Sequence, residues 1–310
     1  HSDPDDTKDP NDPNTEYVKE LDPKLRREIA RRVLARRSII AFTQRFLPNY
    51  TPGWVHYDMA DRLEQFKRDV EAQLSPRLML LMPPRHGKSE IGSIRFPGWC
   101  LGHHPEWEFI NCGYNTDLPM KFSRKVREML SDPGFTSLFE GCEHDKTSQS
   151  VEAWNTTAGG GYTAAGVGGG ITGKGAHILE IDDPIKNQQE ADSIVTRDTL
   201  WDWYWSTAYS RLSPGGGVLL IQTCWSDDDL AGRLQQRMAD AARDPDEFED
   251  IDQFTVVKYL MEAEQWEYRN HETNLIERFK EPLAPEHEAL RLTQREKGVS
   301  VPDKIDNTYD

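Results

Sequence analysis

The clearest chemical signal in the chain is the run Pro83-Pro84-Arg85-His86-Gly87-Lys88-Ser89. The apolar run RLMLLM (77–82) precedes it, and a helix can begin at Ser89. A buried strand, a tight loop and a helix N-terminus, in that order, form a cradle for phosphate. Gly87 lets the backbone approach phosphate with its N–H groups turned inward. Lys88 reaches the β- and γ-phosphates, and the Ser89 hydroxyl suits Mg²⁺. Pro83, Pro84, Arg85 and His86 complete the expected ATP-binding loop. The pattern GxxxxGK[ST] ordinarily opens on glycine, whereas Met82 holds that position here. A second stretch, Gly168 to Lys174 (GGGITGK), fits the letters better, but Gly175 stands where the metal-binding hydroxyl belongs. A strand, not a helix, follows it, so the first stretch is the expected nucleotide site.

Such a site needs acids at the end of a second buried strand, and HILEIDD (177–183) supplies them. Open α/β sheets place ligands at the carboxyl ends of their strands. Adjacent strand residues point to opposite sides, so Asp182 and Asp183 are expected to do different work. Asp182 is the expected magnesium partner, mainly through water. Asp183, at the bend before Pro184, is expected to position or deprotonate the attacking water. Glu180 shares the face of Asp182 in a strand that should be buried, and the sequence assigns it no role.

The elements around these residues follow from periodicity. A helix is expected over 23–45, with Leu25, Ile29, Val33 and Leu34 at helical spacing. Its other faces carry Arg26, Arg27, Arg31, Arg32, Arg36 and Arg37, either a solvated basic face or a contact for DNA or an acidic partner. A second helix is expected from Tyr57 to Leu74, with Ala60, Leu63, Phe66, Val70 and Leu74 on one side. Strands at 107–112, 177–183, 217–225 and 253–261 alternate with helices near 116–131, 190–210 and 228–242. A stretch at 159–175 holds nine of the 22 glycines. Apolar strands alternating with helices predict an α/β fold with a mostly parallel central sheet flanked by helices. The expected organisation is an acidic disordered tail (1–22), a helical lead-in (23–75), an ATPase core (76–262) and an acidic linker or subdomain (263–310).

The net charge of −16 over 310 residues is unevenly placed. Residues 1–25 hold 8 acids against 3 bases and residues 240–310 hold 19 against 9, whereas 26–239 hold 26 against 25. The acidity belongs to the flanks, so a phosphate-binding face in the middle is permitted. No apolar run approaches the roughly 20 residues of a membrane helix, and the start lacks a signal-peptide core. Cys100, Cys112, Cys142 and Cys224 lie far apart without a CxxC pair and read as reduced residues of a cytoplasmic protein.

With these residues in view, the chain resembles the N-terminal ATPase part of the large terminase subunit of tailed bacteriophages. LMPPRHGKSE (81–90), YTAAGVGGGITGKG (162–175), IDDPIKN (181–187), WDWYWSTAYSRLSPGGG (201–217) and QTCWSDDDLAGRL (222–234) carry the resemblance, which spans residues 40–260. The resemblance implies a P-loop NTPase of the additional-strand, catalytic-acid type. It implies an ATP- and Mg²⁺-dependent motor that packages double-stranded DNA into procapsids in the host cytoplasm. The implied partners are the portal protein, the small terminase subunit and further copies of the chain in a ring, commonly of five.

Lys88 and Ser89 then bind phosphate and magnesium, Asp182 is the metal acid, and Asp183 replaces a carboxylate that is often Glu in relatives. Thr223 matches the coupling motif, although Cys224 stands where relatives usually carry Arg. Charge developing on the γ-phosphoryl needs a further cation. Lys174 is the first candidate and Arg85, in cis, the second, ahead of Arg124 and Arg127. His56 and Tyr57 lie where relatives contact adenine; Tyr57 is expected to stack on the base or to occupy a helix core position. Trp201, Trp203, Tyr204 and Trp205 read as core or interface packing. Asp227, Asp228 and Asp229 follow Ser226 at a helix start, where capping explains them without a nuclease metal. About fifty residues follow the ATPase pattern, too few for the ribonuclease-H-like domain of relatives, so no nuclease activity is expected in this chain.

Overall fold

The computed structural model describes residues 22–148, 150–171, 175–245, 251–259, 266–269 and 276–279. The acidic tail expected before Asp22, the cation candidate Lys174 and most of the expected 263–310 segment lie outside the described residues.

The chain enters through α1 (Pro23–Arg37), where Asp22 accepts the Lys24 N–H and Pro23 opens the first turn. The single helix expected over 23–45 is instead broken at the extended residue Ser38, and α2 (Ile39–Phe46) follows. The Ile39 N–H that the break frees is taken up by Glu64 Oε1 at 2.8 Å. The break turns Ile39, Ile40 and Phe42 into the core, while Leu25, Ile29, Val33 and Leu34 of α1 stay exposed. Next comes α3 (Trp54–Glu71), which buries Met59, Ala60, Leu63, Phe66 and Val70. It ends before Leu74, which is 67% exposed and not part of the expected apolar side.

Seven strands form the sheet: β1 (Arg77–Leu81), β2 (Glu108–Gly113), β3 (Ala153–Asn155), β4 (Gly161–Gly166), β5 (Ala176–Asp182), β6 (Leu212–Gln222) and β7 (Thr255–Lys258). Their order is β3-β4-β2-β5-β6-β1-β7, with every neighbouring pair parallel except β3 and β4. The strand that leads into the 83–89 loop therefore does not touch the strand that ends in Asp182. β6 lies between them, in register as Leu80↔Ile221 on one side and Asp182↔Ile221 on the other. Both faces are covered, as parallel strands require. Leu80, Ile178 and Ile221 pack against α2, α3 and the helices at 90–130, among them α4 (Phe96–His103) and α5 (Asp117–Leu130), after which comes the short α6 (Pro133–Thr136). Met79, Ile181 and Leu220 pack against Trp203, Tyr204, Leu230 and Leu234 on the opposite side.

Two strands were not legible in the sequence, because β3 and β4 border or enter the glycine stretch. Their glycines answer to backbone crowding. A Cβ on Gly160 would stand 2.3 Å from the Trp107 carbonyl oxygen and 2.5 Å from that of Pro105. Neither atom belongs to a side chain that could swing away. Gly160→Ala is expected to destabilise the fold by about 1–3 kcal/mol, the usual range for overpacking. Denaturant unfolding monitored by tryptophan fluorescence checks this, and an unchanged midpoint would contradict it.

The helix expected over 190–210 is a chain of short pieces: α7 (Gln188–Asp192), α8 (Ile194–Trp203), a π-turn (Tyr204–Ala208) and a 3₁₀ turn (Tyr209–Arg211). Its aromatic cluster is packing, as read: Trp203 and Tyr204 are buried, and Arg237 lies over the rings of Trp201 and Trp205. The chain divides after Tyr259. In the following segment, β8 (Trp266–Arg269) and β9 (Ile276–Phe279) pair antiparallel.

Candidate active site

Met82 continues the line of β1, giving its N–H to the Gln222 carbonyl at 3.0 Å, and its side chain is buried in the core. The position that ordinarily holds glycine is thus an extension of the strand, and the turn is made later. Arg85 (φ +66°) and Gly87 (φ +80°) make it in the left-handed region, where a non-glycine residue carries strain that clusters at functional sites. Two contacts brace the loop. His86 Nδ1 lies 2.9 Å from the Pro84 carbonyl oxygen. His56 takes the Gly53 N–H on Nδ1 at 2.9 Å, so Nε2 carries the proton and donates to the His86 carbonyl at 3.0 Å. A Cβ on Gly87 would come within 3.0 Å of that same Nε2.

Helical geometry starts at Lys88, and the Gly87 carbonyl accepts from the N–H groups of Glu90 and Ile91. The N–H groups ahead of that first turn are the orphan donors of a helix N-terminus. The helix then widens into a π-turn over Glu90–Arg95 before α4 (Phe96–His103). Pro97 supplies the reason. It has no N–H for the Ser93 carbonyl four residues back, and its ring crowds that carbonyl.

Lys88 is the hub of the site. Its ammonium group is buried and lies 2.8 and 2.9 Å from the two carboxylate oxygens of Asp183. It also donates to Thr223 Oγ1 at 2.6 Å, and the Thr223 N–H donates to Asp183 Oδ1 at 2.8 Å. Three of the residues singled out in the sequence, from three adjoining strand ends, therefore meet. Asp183 is held left-handed (φ +44°), with its N–H on the Ile221 carbonyl and its own carbonyl on the Tyr114 N–H.

Asp182, the last residue of β5, lies fully buried against the 88–95 helix. Its Oδ2 accepts from Ser93 Oγ at 2.6 Å, while its Oδ1 has no hydrogen-bond partner. Burial, and then the charge of Asp183, push its carboxyl up to about 6, against the pull of the Ser93 and Ser89 hydroxyls and of Lys88. A buried carboxylate oxygen without a donor, beside a serine hydroxyl, fits a small hard cation whose other ligands are water and phosphate.

Glu180 is fully buried on the same face, directly across from Asn111 of β2. Neither its oxygens nor the Asn111 amide makes a hydrogen bond of good geometry, and burial raises its carboxyl well above the usual range against the pull of nearby Ser93 and Asn111. One expectation changes. Tyr57 is 52% exposed and so does not fill a core position. Arg85 is exposed at the loop. Asp229 caps α9 (Leu230–Arg243) by accepting the Gly232 N–H, and Asp228 is held by Arg197 and Arg233. Sequence reasoning missed Ser93 and the bracing role of His56. The first had a signal, since residue 93 falls four after Ser89 and hence on the same helix face.

An α/β protein with a lysine, two aspartates and a threonine at adjoining ends of a parallel sheet is the class this arrangement defines. A family model described as terminase large subunit, T4likevirus-type, N-terminal, matches residues 79–290. The chain belongs to that family, whose role is in phage DNA packaging. A search among curated proteins finds no match. No helix among the described residues is long and apolar enough to cross a membrane.

Proposed function

We propose that this chain carries the ATP-hydrolysing motor of a terminase large subunit and drives double-stranded DNA into procapsids. The observation that carries the reading is the position of Lys88, which ties the 83–89 loop to Asp183 and Thr223 across the interposed strand β6. N-terminal domains of this family are generally ATPases, which agrees with it. On this reading the sheet is that of a P-loop NTPase of the additional-strand type.

In that role residues 83–89 wrap the triphosphate, and Lys88 exchanges its contacts with Asp183 for phosphate oxygens. Ser89 and Asp182 would hold Mg²⁺, which would supply positive charge to the phosphates. Asp183, once released, orients the attacking water and accepts its proton. Thr223, which shares both Lys88 and Asp183, loses its partners as they move and transmits the change along β6. Lys174, or else Arg85 at the loop in cis, supplies the further cation for charge developing on the γ-phosphoryl. Double-stranded DNA, the portal protein, the small terminase subunit and further copies of the chain in a ring, commonly of five, are the proposed partners.

The test is multiple-turnover phosphate release with Mg²⁺-ATP and duplex DNA, comparing wild type with Asp183→Ala. Release above the variant's level supports the motor, and equal release would overturn it. An unwinding assay with a forked duplex should give no product, since strand separation would indicate a helicase.

The loop brace makes a further expectation. His56→Ala removes the one hydrogen bond that it gives the loop, of about 1 kcal/mol, so KM for ATP should rise by about fivefold. The thermal midpoint should move little, because His56 sits at the exposed start of α3. An unchanged KM would show that the loop holds its shape without the brace.

A further inference from the structure

We infer that Ser93 is a positioning residue for the metal-binding carboxylate of Asp182, an inference that rests on the nucleotide site proposed above. Asp182 is fully buried, and its Oδ2 is gripped by the Ser93 hydroxyl at 2.6 Å. Its Oδ1 is left without a partner. Pinning one oxygen of a carboxylate fixes the plane of the group, so the free oxygen is presented in one direction. Buried groups that orient a metal ligand in this way tune affinity without touching the metal.

Serine is short, and the helix must sit low on the sheet for its hydroxyl to reach a strand residue. Two features bring it there. Gly92, beside Ser93, faces Ile221 so closely that a Cβ would stand 2.3 Å from its Cδ1. The widened turn over Glu90–Arg95, set by Pro97, carries Ser93 inward until it is fully buried. Ser89, one turn earlier on the same helix, faces the same carboxylate. One helix thus bears both the hydroxyl that would share the metal and the hydroxyl that aims the acid.

Below Ser93 the polar character continues. Glu180 and Asn111 face each other on β5 and β2 without a hydrogen bond of good geometry. Having given its hydrogen to Asp182, Ser93 Oγ keeps lone pairs toward these groups. A serine that only filled space would leave Asp182 free to reorient and would tolerate alanine at no cost to metal binding.

Mn²⁺ is the probe, titrated by electron paramagnetic resonance in the presence of a non-hydrolysable ATP analogue. Nucleotide affinity in EDTA and the thermal midpoint are measured alongside. Ser93→Ala is expected to weaken Mn²⁺ by about tenfold, the lower end of effects seen for groups that orient ligands, while nucleotide affinity in EDTA stays within about twofold of wild type. Ser93→Cys keeps the shape but offers only a weak donor, so it should also weaken Mn²⁺, and it serves if the alanine variant does not fold. Wild-type Mn²⁺ affinity in both variants would overturn the inference and leave the nucleotide site standing. Failure of the wild type itself to take up Mn²⁺ with nucleotide would overturn both.

Discussion

Lys88→Met should reduce ATP turnover by about a thousandfold, the scale on which losing one preorganised charge donor to the transition state is felt. The loss has two sources in this geometry. The phosphates lose their buried cation, and Asp183 and Thr223 lose the group that holds them in register. Methionine keeps the length and apolar stem of lysine, so packing in the buried position is nearly conserved. Asp183 retains the Thr223 N–H and, with its side chain 27% exposed, reaches water. The thermal midpoint should therefore move much less than the rate. Arginine should not restore activity, because its planar fork does not fit a site shaped around a single ammonium. Steady-state phosphate release with duplex DNA decides the matter, and turnover within tenfold of wild type would remove Lys88 from the chemistry.

Asp183→Asn should separate binding from catalysis in an unusual direction. Turnover is expected to fall by about a hundred- to ten-thousandfold, the range for loss of a positioned general base. ATP should nonetheless bind a few-fold more tightly. Lys88 is engaged by both carboxylate oxygens of Asp183, and phosphate must compete for it. Removing the charge relieves a contact of about 1 kcal/mol at this partly exposed position. Asparagine is the informative substitution, because residue 183 sits at φ +44° and asparagine tolerates the left-handed region. Alanine would add backbone strain to the loss of charge. Calorimetric titration with Mg²⁺-ATP gives the affinity. Weaker binding by the asparagine variant would mean that Asp183 does not restrain Lys88.

Much of the site was open to a sequence reading because its parts are local. The order of apolar run, loop and helix around Lys88 is written in consecutive residues. The expectation that Asp182 and Asp183 do different work follows from the two-residue repeat of a strand, and the structure gives them different partners, Ser93 and Lys88. Capping by Asp229 was readable for the same reason. Elsewhere local signals misled. Leu25, Ile29 and Val33 have helical spacing but no surface to cover among the described residues, so they remain exposed on α1. The glycine stretch contains a strand, β4, where the Trp154 carbonyl leaves no room for a Cβ on Gly161.

The amino-acid sequence alone determined where most of the strands and helices around the site lie, though not β3, β4 or the break at Ser38, because those properties depend on spacing within a few residues. It could not determine who meets whom at the ends of the strands. Lys88 contacts Asp183 and Thr223 across 95 and 135 residues of chain. That meeting depends on β6 entering the sheet between β1 and β5. No local periodicity encodes strand order; only the packing of the whole sheet against its two helical layers selects it.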